Sequence, residues 1–280
     1  MKLLKRATGF TVCAFLAVCA LMYALQRSLL FRPDVTRVDP ASAGLVKARE
    51  VMLNPPGANR LIGWFIPPAD HSKTVALYLH GNGANIARRA NRLDVLSQDG
   101  SGVLAVSWRG YGGSEGSPSE AGFMTDARAA LAFLKQENIP LQRTVLFGES
   151  LGTGVAVALA ADTPVKAVIL DSPYDSIQAL AQQRYWWLPV GLLLRDPFRA
   201  DLAAPKVTVP VLAVHCQNDP ITPLENADKL IALLGGPHAR LTVPASCHAP
   251  NFPQLAAFSG WNGAGLEGLL AILAQRATKR

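Results

Sequence analysis

The stretch TVLFGESLGTGVAVALA, Thr144 to Ala160, decides how the chain is read. A β-branched apolar run stops at Gly148. Ser150 follows between Glu149 and Leu151, then Gly152, and then a run of alanine and valine. That order is strand, tight turn, helix. The turn forces the serine into a strained backbone region, and the glycines two before and two after it leave room for the neighbouring strand and helix. The flanking N–H groups sit at a helix start, where negative charge is stabilised. Ser150 is therefore the candidate nucleophile. A serine that merely caps a helix is the plainer alternative, but it does not explain why both glycines are needed.

Outward from this turn the pattern repeats. TVALYLH, GVLAVSW, VKAVILD, VLAVHC and ARLTVP are further short β-branched runs. Helical candidates lie between most of them, over 86–97, 122–137, 151–161 and 224–234. LVKAREVML and RLIGWFIPP, separated by NPPGANR, read as an antiparallel pair. Buried strands alternating with helices predict an α/β fold: a mostly parallel eight-stranded sheet covered by helices on both faces. Residues 174–205 interrupt the alternation with RYWWLPVGLLLRDPF. They are read as a candidate cap over the C-terminal edge of the sheet, where such folds bind ligands; an ordinary packed helix pair is the alternative. The chain ends on an amphipathic helix within GWNGAGLEGLLAILAQRATKR.

The N-terminus reads differently. Lys2, Lys5 and Arg6 precede an uncharged run from Ala7 to Leu25. Nineteen residues at about 1.5 Å each approach the ~30 Å of a bilayer core. Residues 1–30 are read as a membrane anchor, with the bulk of the chain across the membrane from its basic head, on the periplasmic side. A cleaved signal peptide, with Val18-Cys19-Ala20 at the cleavage site and a secreted product, is the alternative. Residues 31–44 read as a linker, and 45–280 as the catalytic domain. The formal net charge of +7 comes from scattered basic residues. No concentrated patch or binding module points to nucleic acid; an anionic membrane surface is the better match.

A serine nucleophile needs a base, and the base needs an orienting acid. Of five histidines, His71 and His238 precede strands and lie on the wrong edge. His215 sits inside an apolar run and His80 comes too early in the chain. His248 follows the last strand and is the candidate base. Asp219, in the loop after VLAVHC, is the candidate acid. Asp171 is the runner-up and Asp175 a weaker choice.

The sequence thus resembles the α/β-hydrolases, from about Leu45 to Leu273, in the order Ser150, Asp219, His248. More narrowly it resembles the Bem46-like group of membrane-associated serine hydrolases, related to the eukaryotic ABHD13 and ABHD17 types. LYLHGNGANI, SWRGYGGSEGSPSE, FGESLGTGVA, LDSPYDS and QNDPITP carry the likeness. The resemblance implies an oxyanion hole from the N–H groups of Asn82 and Leu151, with His80, Gly81, Gly110 and Tyr111 shaping the pocket. Many relatives have aspartate where this chain has Trp108. The implied chemistry is hydrolysis of carboxylic esters or thioesters of small or lipid-like acyl substrates, without cofactor or metal. A peptidase or amidase, and a non-catalytic membrane scaffold, are the rival functions.

If Asp219 and His248 touch, Cys216 and Cys247 come close, since adjacent strands run ~4.8 Å apart. A disulfide tying the acid and base loops together is the expectation; two reduced thiols are the alternative.

Overall fold

The computed structural model of the protein describes residues 2–56, 60–250, 252, 255 and 265–277. Its main sheet has eight strands: β1 (Arg49–Leu53), β2 (Leu61–Ile66), β3 (Val75–Leu79), β4 (Gly102–Val106), β5 (Thr144–Glu149), β6 (Ala167–Asp171), β7 (Val211–Cys216) and β8 (His238–Val243). They lie in the order β1-β2-β4-β3-β5-β6-β7-β8. β2 runs antiparallel to β1 and β4, and the remaining pairs are parallel. The α/β expectation and the N-terminal antiparallel pair are both met.

Parallel strands need covered crossovers, and the strand alternation sets which residues each layer receives. Along β3, Leu77 and Leu79 point to one core, and Ala76 and Tyr78 to the other. The first face is covered by α3 (Glu120–Gln136), α4 (Leu151–Ala160) and α8 (Leu224–Leu233), through residues such as Phe123, Val155 and Leu230. The second is covered by α2 (Ala90–Leu96) and α9 (Gly265–Arg276), through Leu93 and Leu269. The helix expected over 86–97 begins as a 3-10 turn, Ile86–Arg89, capped by the Asn85 side chain. Of the expected C-terminal helix, residues 260–264 and 278–280 lie outside the described residues.

The 174–205 segment forms three short helices, α5 (Ile177–Arg184), α6 (Val190–Leu193) and α7 (Ala200–Ala203). α1 (Lys2–Leu30) is a single apolar helix, long enough to cross a membrane, whose most apolar stretch is largely exposed while its C-terminal end contacts the rest of the protein. It runs five residues past the uncharged stretch. Residues 31–44, expected as a linker, are no free tether. Arg32–Pro33 pairs with Gly83–Ala84, Phe31 is buried, and the Asp34 carbonyl accepts from Gly112 N–H.

Candidate active site

β5 ends at Glu149 and α4 starts at Leu151, so Ser150 is the whole turn. Its backbone stands at φ 49°, ψ −116°, outside the main allowed regions for an L-residue and costing about 1–3 kcal/mol. The sterics of the flanking glycines explain the motif. A Cβ on Gly152 would overlap the Leu79 carbonyl oxygen, and one on Gly148 would come within 2.7 Å of Gly152 O and Thr153 Cα. Ser150 makes no side-chain cap bond to its helix. Its N–H is fixed instead by the Asp171 carbonyl at 2.8 Å.

The structure brings the three residues chosen from the sequence together. His248 Nε2 lies 2.7 Å from Ser150 Oγ, and His248 Nδ1 lies 2.8 Å from Asp219 Oδ2. The loop after β7 holds the carboxylate: Oδ1 accepts from the Ile221 and Thr222 N–H groups, and Oδ2 accepts from the Thr222 hydroxyl. Burial alone would raise the Asp219 carboxyl, but the His248 and backbone hydrogen bonds outweigh it and hold it near 2. The Cys216–Cys247 disulfide joins the end of β7 to the residue before His248, with the Cα atoms 5.6 Å apart. Ala249 N–H donates to Ser172 Oγ and steadies the histidine loop from β6.

The turn after β3 packs directly on Ser150, the candidate nucleophile. A Cβ on Gly81 would lie 3.1 Å from Ser150 Cβ. Leu151 N–H, first in α4, has no carbonyl four residues back to bond within its helix. The Asn82 side chain hooks outward: its amide donates to the Leu30 carbonyl, and its Oδ1 accepts from Arg32 N–H and Tyr111 OH. His80 is buried and neutral, pushed down to about 3 by burial and then by the Arg89 charge. It supports the turn through Trp108, whose indole N–H donates to the His80 carbonyl while its ring stacks on Phe123. Tyr111 packs edge-on against His80. Gly110 adopts φ 81° in a turn where its N–H donates to the Ser114 carbonyl, and Pro118 packs against it so closely that a Cβ would lie 2.8 Å from the Pro118 Cδ.

The other candidates go elsewhere. Asp171 pairs with Arg92 at 2.6 Å, and Asp175 bonds Asn226 and the Ser176 N–H. His215 is buried, with Nε2 2.9 Å from the Thr222 carbonyl, so it backs the acid loop. His238 opens β8 at the opposite end of the sheet, and His71 stands in the turn before β3.

The sequence reading missed a buried ionic layer behind Ser150. Glu149 meets Arg89 at 2.6 Å and accepts from the Tyr78 hydroxyl. Burial would raise its carboxyl; Arg89 and Arg92 hold it down near 2. Arg92 also donates to the Ala249 and Pro250 carbonyls, tying β6 to the histidine loop. The arginines carry no local signal, because their partners are 60 and 79 residues away.

A family model for the alpha/beta hydrolase fold matches residues 75–200. An uncharacterized protein of Mycobacterium tuberculosis, Rv2307c, is 35% identical over 259 residues, covering 90% of this chain and 92% of the relative. This chain belongs to the α/β-hydrolase superfamily. Among other members, the lysophosphatidylserine lipase ABHD12 of Danio rerio is 34% identical over 190 residues, 61% of this chain and 50% of that one. The Pyrococcus furiosus esterase Pf2001 shares the fold, with a TM-score of 0.64 at 18% identity over 88% of this chain and 98% of the esterase. In this α/β-hydrolase, the elbow, the acid loop and the histidine loop all stand at the C-terminal edge of the parallel strands, where the fold binds its ligands.

Proposed function

We propose that this protein is a membrane-anchored serine hydrolase that cleaves carboxylic ester or thioester bonds of lipophilic acyl substrates through an acyl-enzyme. The Ser150–His248–Asp219 hydrogen-bond chain is the observation that carries the reading. His248 Nε2 takes the Ser150 proton as Oγ attacks the acyl carbonyl. Asp219 keeps the other ring nitrogen protonated and stabilises the imidazolium. The charge that develops on the carbonyl oxygen is met by the N–H groups of Asn82 and Leu151. His248 then gives its proton to the leaving alcohol or thiol, and water activated by the same ring releases the acid.

The lysophosphatidylserine lipase relative supports a lipid-like ester as the substrate class. The apolar helix α1, with Lys2, Lys5 and Arg6 in its first turns, supports an anchor that holds the domain on the periplasmic face. A fluorophosphonate probe, mapped by peptide mass spectrometry, tests the core of the reading. An adduct on Ser150 that is lost in Ser150→Ala and His248→Ala is the expected result. A folded wild-type protein that takes no probe would refute it.

A further inference from the structure

α1 is longer than a bilayer requires. Its 29 residues span about 43 Å against a hydrocarbon core of ~30 Å; with Ala7–Leu25 filling the core, Lys2–Arg6 project on one side and the last turn, Gln26–Leu30, on the other. That turn is bound to the hydrolase domain. Arg27 makes a two-pronged ion pair with Asp196 at 2.7 and 3.1 Å, and Asp196 also accepts from the Glu120 N–H. The Gln26 amide donates to the Leu193 carbonyl at 3.0 Å and accepts from the Arg195 N–H at 2.6 Å. Cys19, Met22, Gln26 and Leu30, spaced by three and four residues, form the helix face turned to the protein.

Between this face and the α5–α6 segment lies a cavity of about 300 Å³. Met22, Leu29 and Leu30 line it from α1, Leu188 and Leu193 from the segment opposite, and Ile221 from the acid loop. The Ile221 N–H donates to Asp219, so the cavity reaches the loop that holds the candidate acid. Among the described residues, Gln26 and Tyr185 are the only polar side chains in its wall, and the Gln26 amide is already engaged. A peptide would bring amides with nothing to bond there, at a cost that a hydrocarbon chain does not incur. Outside the cavity, the same segment exposes Trp186, Trp187 and Leu192, the last at 87% of its surface. Tryptophan and leucine exposed beside a membrane helix suit the bilayer interface.

We infer that the end of α1 is one wall of an acyl-chain site, into which a single chain of a bilayer amphiphile enters sideways, between α1 and the α5–α6 segment. This rests on the acyl-hydrolase reading above and specifies where the substrate's chain lies. The volume is at the lower end of the ~300–1,000 Å³ typical of small-molecule pockets, which suits one chain and not two. Each methylene buried there tightens binding about fourfold.

The test uses full-length protein in phosphatidylcholine nanodiscs. Met22→Trp and Leu193→Trp fill the cavity from opposite sides. In both, the ratio of kcat/KM for p-nitrophenyl dodecanoate to that for the butyrate is expected to fall at least tenfold. An unchanged ratio in both overturns the proposal. A second arm does not depend on turnover: Ser150→Ala protein is photolysed with dodecanoic acid bearing a terminal diazirine. Adducts are expected on peptides from 19–30 and 177–194. Adducts elsewhere, or none, overturn the site. Adducts at these positions in a protein whose Ser150 never reacts with fluorophosphonate would keep the site and refute the hydrolase reading.

Discussion

The side-chain amide of Asn82 donates to the Leu30 carbonyl, which ties the last turn of the apolar helix to the turn packed on Ser150. The same Asn82 accepts from Arg32 N–H, so the chain leaving the helix is held on both sides of the asparagine. The helix end and the proposed oxyanion turn are therefore hydrogen-bonded to each other through one side chain.

Asn82→Ala keeps the backbone N–H but releases this tie. The expected outcome is a kcat about tenfold lower, the equivalent of about 1.4 kcal/mol of lost transition-state stabilisation, with Ser150 still reactive. Steady-state kinetics beside fluorophosphonate labelling checks it; an unchanged kcat would mean that the tie does not position the turn.

Asp219→Asn should preserve the fold and cost on the order of 10⁴ in kcat, because the imidazole loses the partner that fixes its tautomer. Asp171→Asn is the comparison. Asp171 faces Arg92 and its Oδ1 has no partner among the described residues, so its replacement should affect stability before catalysis. Equal losses in the two variants would argue against Asp219 as the orienting acid.

Arg92→Met removes a buried cation from between Asp171 and the Ala249 and Pro250 carbonyls. Breaking one side of a buried pair costs about 3–5 kcal/mol. For a chain of this size that is a fall in Tm of about 10 °C, readable by calorimetry. The histidine loop should loosen with it, lowering kcat as well.

The Cys216–Cys247 bridge closes 31 residues, for which chain-entropy reasoning gives about 3–4 kcal/mol of stabilisation. Intact mass after alkylation with and without reductant should differ by one thiol pair. The Cys216→Ser/Cys247→Ser double variant should melt earlier and turn over more slowly, since the acid and base loops are then joined by hydrogen bonds alone, among them Asp219–His248 and Asn218 N–H to the Ala245 carbonyl.

Acid should weaken the fold through Glu149. Its carboxyl moves from an ordinary 4.5 to about 2. Because the folded value is the lower, the ionised group stabilises the protein above about pH 4.5, and that contribution disappears as pH falls toward 2. Asp219, also held near 2, acts in the same direction. Asp171, raised by burial against the pull of Arg92, acts in the opposite one. Glu149→Gln should therefore lower Tm at pH 7 and flatten its decline between pH 4.5 and 2; a parallel curve would mean that Glu149 does not carry the acid dependence.

The sequence by itself determined what local periodicity and sterics can encode. The Gly148–Ser150–Gly152 turn, the alternation of strands and helices, the apolar N-terminal helix and the position of His248 after the last strand all follow from neighbours a few residues apart. The choice of Asp219 over Asp171 was legible only as a preference, since both follow parallel strands. Tertiary packing separates the two, placing Arg92 against Asp171 and His248 against Asp219. The tie from Asn82 to Leu30, the Arg27–Asp196 pair across 169 residues and the cavity beside α1 had no sequence signature. Each depends on groups that are distant in the chain and meet only when the sheet has formed, and neither spacing nor composition records which distant surfaces will face each other.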